Sequence, residues 1–455
     1  MPRGPLFYGW WIVAAGFGIE FLIGALMFHA YGAYAVLLRE EFGWSKTIVS
    51  AAFAMSRAES GILGPVQGWL TDRFGPRALI RVGMTIFGVG FLLFSRIDGP
   101  VVFFLTFFMM ALGSSLGGYL PVSVAIVTWF RRRRALALSI SGMGMSTGGL
   151  LAPVVALSLT RFGWRWTAVA SGLVVLALGV PLAQIVRHRP EAYGLRPDGD
   201  FAEPLRGVDT RNFTARQALR TRAFWFISLG HGGALLVVSA VMVHMVIHVT
   251  ERLGYSLHQA GVVVALLTIM QATGQFSGGW LGDRFSKRRI CAACMLGHAT
   301  ALMVLALASA YWMVLLFAVV HGLSWGMRGP LMAAIRADYF GSASFGTITG
   351  VSSMIVMFGM ILGPLVAGVL ADRTGSYVPG FSVLAALAAA GSVAFVRARR
   401  PGVGDVGLRQ VARARSAGRR SREPGAASRG DRPTCCSSSG RGVDRTARER
   451  CRGAG

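Results

Sequence analysis

Apolar residues in this chain do not alternate with polar ones; they run on. Twelve stretches, at about 8–30, 47–69, 78–96, 100–128, 135–158, 165–186, 223–248, 258–281, 290–309, 311–335, 345–370 and 377–396, are almost unbroken by charge. Each is near the roughly 20 residues that a helix needs to cross the hydrocarbon of a bilayer. Backbone groups in hydrocarbon must be satisfied within their own segment, so the pattern predicts helices. Only Met1 to Pro5 precede the first run, which is too long for the apolar core of a cleaved leader. It is expected to be a first spanning helix.

Composition agrees. Hydrophobic residues make up 53% of the chain and charged ones 15%, with a mean hydropathy of +0.54. A soluble domain carries about 25% charge. The charges that remain are sorted. If the N-terminus is cytoplasmic, the cytoplasmic segments up to the last helix hold 21 Lys and Arg, Arg336 among them, against seven on the other side. That bias predicts a multi-pass protein of the cell's inner membrane with both termini in the cytoplasm. It also accounts for much of the +26 net charge without nucleic acid.

Two segments stand outside this pattern. Residues 187–222 are polar, basic and turn-rich, with Pro190, Pro197, Gly199 and Pro204, and read as a cytoplasmic linker. Residues 397–455 carry 16 Arg and no aliphatic periodicity. Such a tail cannot bury a core and is expected to be disordered; attraction to anionic lipid and an accessory extension are both open roles. Five cysteines argue against a disulfide framework. Cys291 and Cys294 form a C-x-x-C pair with no matching second pair, so they read as small packing residues and not as zinc ligands.

One motif occurs twice, 211 residues apart: Gly68-Trp69-Leu70-Thr71-Asp72-Arg73-Phe74, followed by Arg77, and Gly279-Trp280-Leu281-Gly282-Asp283-Arg284-Phe285, followed by Arg288. Each copy closes an apolar run and opens a basic loop. Gly148 and Gly359, and Pro153 and Pro364, keep the same offset. The chain therefore divides into two homologous six-helix halves, 1–186 and 223–396, an architecture usual for secondary transporters. Gly144/Gly148 and Gly359/Gly363 are small-residue pairs that let helices approach closely in lipid.

The paired motif resembles the loop signature of the major facilitator superfamily, and the resemblance covers residues 7–396. It implies an all-α membrane fold of twelve transmembrane helices in two six-helix bundles. A narrower resemblance, to the monocarboxylate transporter and oxalate/formate antiporter branch, rests on Tyr8-Gly9-Trp10, on Trp129-Phe130-Arg131-Arg132-Arg133-Arg134-Ala135-Leu136-Ala137, and on Pro190-Glu191-Ala192-Tyr193-Gly194-Leu195-Arg196-Pro197-Asp198-Gly199. That branch typically binds carboxylate with an Arg in the eighth helix. Here the eighth helix has none and offers Gln271 and Gln275 instead, which puts the transported anion in doubt.

Asp72 and Asp283 sit where two helices leave the membrane. Each can cap a neighbouring helix N-terminus or pair with a base across the interface, with Arg73 and Arg284 as the expected partners. Such contacts would hold one side shut and break when the transporter switches.

Charges at membrane depth are costly and usually face a cavity or a partner. Arg57 and Arg328 are candidates for an anionic substrate, because guanidinium holds carboxylate bidentately and stays charged. Arg328 is expected to be the one cation at membrane depth in the second half. The alternative for either arginine is an internal ion pair that holds helices together. Gln271, Gln275, Tyr31 and Tyr119 complete the candidate binding set, and Tyr34 and Trp325 are further aromatics that can shape a pocket. Glu20, Glu59, His231 and His244 are candidates for proton coupling. His244 and His248 share a helix face, but no third ligand is visible, so no metal is expected. Arg57 and Glu59, two residues apart, cannot line the same wall.

Other classes fit less well. A polytopic membrane enzyme needs a catalytic cluster, and none stands out. No P-loop occurs, so a gradient rather than ATP should supply the energy. The expected activity is secondary transport of a monocarboxylate or related organic anion by alternating access, proton-coupled, without a cofactor and as a monomer. The alternative within the class is an antiporter or exporter of another small polar or drug-like molecule.

Overall fold

The computed structural model describes residues 7–199 and 212–401. The linker's middle, with Pro204, and all but the first few residues of the basic tail lie outside the described residues. Twelve helices cross the body. They are α1 (Gly9–Phe42), α2 (Lys46–Ile62, continued by Gly64–Phe74), α3 (Pro76–Phe94) and α4 (Pro100–Trp129). The stretch Arg134–Ile185 is two helices, α5 and α6, that turn back at Gly163, where φ is 76°. The second half holds α7 (Arg222–Arg252), α8 (Leu257–Arg284), α9 (Lys287–Ala306), α10 (Tyr311–Phe340), α11 (Phe345–Thr374) and α12 (Val378–Arg397).

By length and hydropathy alone ten spans qualify. The difference from twelve has two causes. The α5–α6 turn is so tight that both count as one helix. α2 is broken at Leu63 into pieces of 17 and 11 residues, each too short to span alone, and the first carries Arg57 and Glu59.

Several helices outrun the apolar stretches that announced them. α10 continues to Phe340, so Arg336 lies inside it, 3% exposed. Arg336 therefore does not belong with the loop cations, and Arg328 is not alone at depth in the second half. The charge bias survives without it.

The repeat is visible in the packing. In the first half α1 packs on α5, and a Cβ on Gly144 or Gly148 would meet the α1 backbone at 2.1 and 2.6 Å. In the second half α7 packs on α11, and a Cβ on Gly359 or Gly363 would meet the α7 backbone at 2.3 and 2.0 Å. Only glycine permits such approach, and in lipid close packing replaces the hydrophobic effect as the drive to associate. The halves meet through α2 against α11 and α5 against α8.

The linker's two described ends hold equivalent loops. Asp198 accepts from the backbone N–H of Arg131 and Arg132, both at 3.0 Å. Asn212 accepts from those of Ser342 and Ala343 at 3.2 and 3.3 Å. The two pairs of donors are again 211 residues apart.

Candidate functional site

The short basic loops lie together at one end of the bundle, here called the basic end, and there the two halves are latched. Asp72, in the last turn of α2, accepts from the N–H of Gly346 at 2.9 Å and from the N–H and hydroxyl of Thr347, both at 2.7 Å. Those N–H groups belong to the first turn of α11, which has no helical partner for them. Asp283, in the last turn of α8, does the same for α5, accepting from Ala135 at 2.8 Å and Leu136 at 3.0 Å. The offset from Asp72 to Asp283 and from Ala135 to Gly346 is the same 211 residues. Each half thus caps a helix of the other, with a carboxylate on the positive end of a helix dipole. Arg134 adds a third tie across the halves. It bonds Asp338 of α10 at 2.5 Å, and Lys287 reaches the same carboxylate at 2.9 Å.

Arg73 and Arg284 are not the partners of these acids. Arg73 lies over the rings of Trp69 and Phe74, and Arg284 lies 3.6 Å from the ring centroid of Trp280. A long cation near the membrane edge folds back along its own helix and rings, and leaves the interface to the short acid. Arg77 ties α3 to α6 through Gln184 at 2.9 Å. Arg288 bears on Tyr339.

The small motif residues make the latch possible. A Cβ on Gly68 would stand 2.1 Å from the carbonyl oxygen of Gly346, and one on Gly279 would stand 2.3 Å from Oγ of Ser139. On α2 the stripe runs Gly68, Gly64, Gly61, the last against Met357 of α11. Arg57 lies one turn further on the same face, exposed, with its guanidinium 4.4 Å from the ring of Phe28 and 4.8 Å from that of Phe53. It stands one turn past Gly61, the last glycine of that stripe.

Tyr119 marks the middle of the molecule. α4 breaks at Gly118, so Tyr119 opens its second half and lies at the positive end of that half-helix. Its side chain is within electrostatic reach of Arg336, Glu20 and Arg328. Those three are buried, yet Tyr119 is 43% exposed. Its free surface therefore opens inward between the halves and not onto lipid. Arg328 is 1% exposed, and its Nε and Nη1 have no hydrogen-bond partner. Among the described residues neither Arg328 nor Arg57 makes an ion pair, so the internal salt bridge is not formed. Glu20, on α1, is equally buried, and its Oε1 is unpartnered.

Other candidates are already engaged. Tyr31 gives its hydroxyl to the carbonyl of Val49 at 2.5 Å and packs on Phe53 and Phe107, so it ties α1 to α2 and α4 instead of facing a solute. Glu59 accepts from Ser60 at 3.0 Å and from Gln67 at 2.9 Å, and Gln67 accepts from Ser115 at 2.8 Å. That closed network joins α2 to α4 and leaves no lone carboxyl for a proton relay. His244 bonds Tyr377 at 3.2 Å and the Pro364 carbonyl at 3.0 Å, so both ring nitrogens are taken and the ring fastens α7 to α11 and α12. Gln275 lies against Gly142 of the other half, and Gln271 lies one turn beyond it. Neither amide is hydrogen-bonded among the described residues. His231 stands at the centre, bonded to Arg336 at 2.9 Å.

Sequence reasoning passed over three features of this region. Arg336 is one. The second is Ser352, which accepts from Arg336 at 2.7 Å. The third is a buried pair, His298 and His321, with their Nδ1 atoms 3.2 Å apart. The helical register of Arg328 and Arg336 on one long helix was the only available signal.

Known proteins are similar to this chain in sequence and in fold. The chain is 29% identical over 418 residues to monocarboxylate transporter 11 of Mus musculus, covering 87% of this chain and 89% of that one. It is 27% identical over 396 residues to a probable sulfoacetate transporter of Cupriavidus necator, covering 79% and 87%. Two solved structures share the fold. The fucose:proton symporter of E. coli has a TM-score of 0.67 at 15% identity, over 86% of this chain and 98% of that one. The human organic anion transporter MFSD10 has a TM-score of 0.65 at 14% identity, over 84% and 98%. The sequence pattern of the Major Facilitator Superfamily matches residues 16–247 and again 227–421, once for each half. A latch repeated between two halves around a few uncompensated charges is the machinery of a small-solute carrier rather than an enzyme, and the chain belongs to the Major Facilitator Superfamily.

Proposed function

We propose that this transporter moves a small organic anion, a monocarboxylate or a related acid, by alternating access coupled to protons. The observation that carries this reading is Arg328. It is buried, two of its nitrogens lack partners, and among the described residues no carboxylate neutralises it. A charge left so in a low-dielectric core is costly unless a ligand supplies the counter-charge. Arg57, exposed one turn past the glycine stripe of α2, attracts the anion, and Tyr119 and Gln271 contribute neutral hydrogen bonds. Glu20 and His231 are the groups with room to exchange a proton. The names of the relatives, a monocarboxylate transporter and a probable sulfoacetate transporter, point to the same class of solute. The absence of an Arg from the part of α8 at membrane depth is then a relocation of the cation to α10. The test is uptake by proteoliposomes of a panel of organic anions, with and without an inward proton gradient. Uptake of at least one acid, raised by the gradient, is expected. Uptake confined to neutral or cationic solutes would replace this reading with export of a different small molecule.

The protein works as a monomer in the inner membrane, with halves 1–186 and 223–396 joined by the 187–222 linker. The basic end is cytoplasmic, because Lys and Arg resist translocation. A reporter fused after Arg400 is expected to report the cytoplasm. A periplasmic signal would refute the twelve-span orientation.

A further inference from the structure

A second uncompensated guanidinium lies on α10, eight residues beyond Arg328 and about 12 Å nearer the basic end. Arg336 gives one nitrogen, Nη2, to Nδ1 of His231 at 2.9 Å and to Oγ of Ser352 at 2.7 Å. Ser352 is held in turn by Ser228 at 2.9 Å. Nε of Arg336 is buried without a partner. No carboxylate pairs with it among the described residues.

Guanidinium only donates. The contact therefore needs a lone pair on Nδ1 of His231, which makes that imidazole neutral with its proton on Nε2. A doubly protonated imidazole donates from both nitrogens and cannot accept. A proton on Nδ1 and the bond from Arg336 exclude each other. The charged groups that bear on His231 are Arg336 and Arg328, both from α10. From α11 the hydroxyl of Ser352 accepts from the same Nη2 of Arg336. The titratable groups around Arg336 are Tyr119 from α4 and Cys291 from α9, besides Arg328. Among the described residues no acid bears on His231 or Arg336 directly; the buried carboxyl of Glu20, from α1, bears on Tyr119 instead.

We infer that Arg336 and His231 form one site that binds a carboxylate and a proton together. The Nδ1 lone pair of His231 takes a proton from water, and the Arg336 N–H that it held is released. Nε–H and Nη2–H of a guanidinium point to the same side, so the freed edge is a fork of two parallel donors that fits a carboxylate. The charge of the site is unchanged: one cation before, and two cations with one anion after. Taking up either ion alone would change the buried charge by one unit, which a low-dielectric interior resists. Joint binding follows, and with it symport. The inference rests on the anion reading above and adds the coupling group to it.

The test uses the full chain in proteoliposomes with radiolabelled lactate and sulfoacetate as probes. Asn is the diagnostic substitution, because its Oδ1 stands close to where Nδ1 stood and accepts from Arg336 but takes no proton. His231→Asn is expected to keep probe exchange at a reduced rate while accumulation driven by a proton gradient falls at least tenfold. Arg336→Gln is expected to lose both, and Arg336→Lys to recover less than a tenth. Should the His231→Asn protein fail to fold, wild-type protein in weakly buffered detergent gives a second reading. There, one proton taken up per probe bound is expected, and none would overturn the inference. Undiminished gradient-driven accumulation by His231→Asn would remove this inference and leave the anion reading standing. A wild type that moves neither probe would remove the anion reading and this coupling with it.

Discussion

Asp72→Asn combined with Asp283→Asn is expected to slow solute exchange by roughly 100-fold while the protein still inserts and purifies as a folded species. Each carboxylate accepts two or three bonds from the first turn of a helix in the other half. A charged acceptor at such a site contributes about 1.5–3 kcal/mol per hydrogen bond. Asn keeps one oxygen but turns an NH2 toward backbone donors and loses the charge that the helix dipole favours. A loss of about 1.4 kcal/mol per latch is tenfold in population, so two latches give the expected factor. The helices stay apolar and their interiors untouched, which is why insertion survives. Because the latches are related by the repeat, each single mutant should show a similar, smaller defect. The measurement is counterflow in proteoliposomes beside the purified yield of each variant. Exchange at the wild-type rate in all three variants would reduce both acids to solvated loop charges.

The latch shows which parts of the molecule were legible in the chain. The runs of apolar residues carried the number of helices, and the 211-residue offset carried the equivalence of the two latches. That Asp72 sits at an exit was plain, but its partners were not. Gly346 and Thr347 are 274 and 275 residues away and bind through backbone N–H groups, which leave no trace in side-chain identity. The expectation of Arg73 failed for a related reason: sequence neighbours on a helix compete for the same solvent and rings, while the interface belongs to whatever is short enough to reach it. His244 read as a free titratable group because its partners, Tyr377 and the Pro364 carbonyl, come from two other helices. Arg336 was misplaced because the apolar run was closed at residue 335, one short of it, although the same run already spanned Arg328. A helix buried on all sides by protein can carry that charge inward, and α10, 30 residues long, does so.

Arg328→Gln is expected to lower uptake of an anionic substrate by at least 100-fold, with little loss of folded protein. The two halves of that statement follow from one feature. Among the described residues Arg328 pairs with no acid, so removing its charge strands no buried carboxylate and relieves a desolvation cost. The same change removes the counter-charge from a bound anion. A charged hydrogen bond in a desolvated site is roughly twice as strong as a neutral one, and losing one partner of a buried pair costs about 3–5 kcal/mol. At 1.36 kcal/mol per factor of ten, that is about two to four decades of affinity. Arg328→Lys should recover little, because ammonium is a point donor and cannot reproduce the two parallel bonds of the guanidinium fork. Binding isotherms and uptake are to be read beside size-exclusion profiles. A collapse of expression in Arg328→Gln that neutralising Glu20 or Glu59 repairs would make Arg328 one end of a structural pair. The anion would then have to be held by Arg57 and by the unpaired amides of Gln271 and Gln275, where α5 and α8 begin to part.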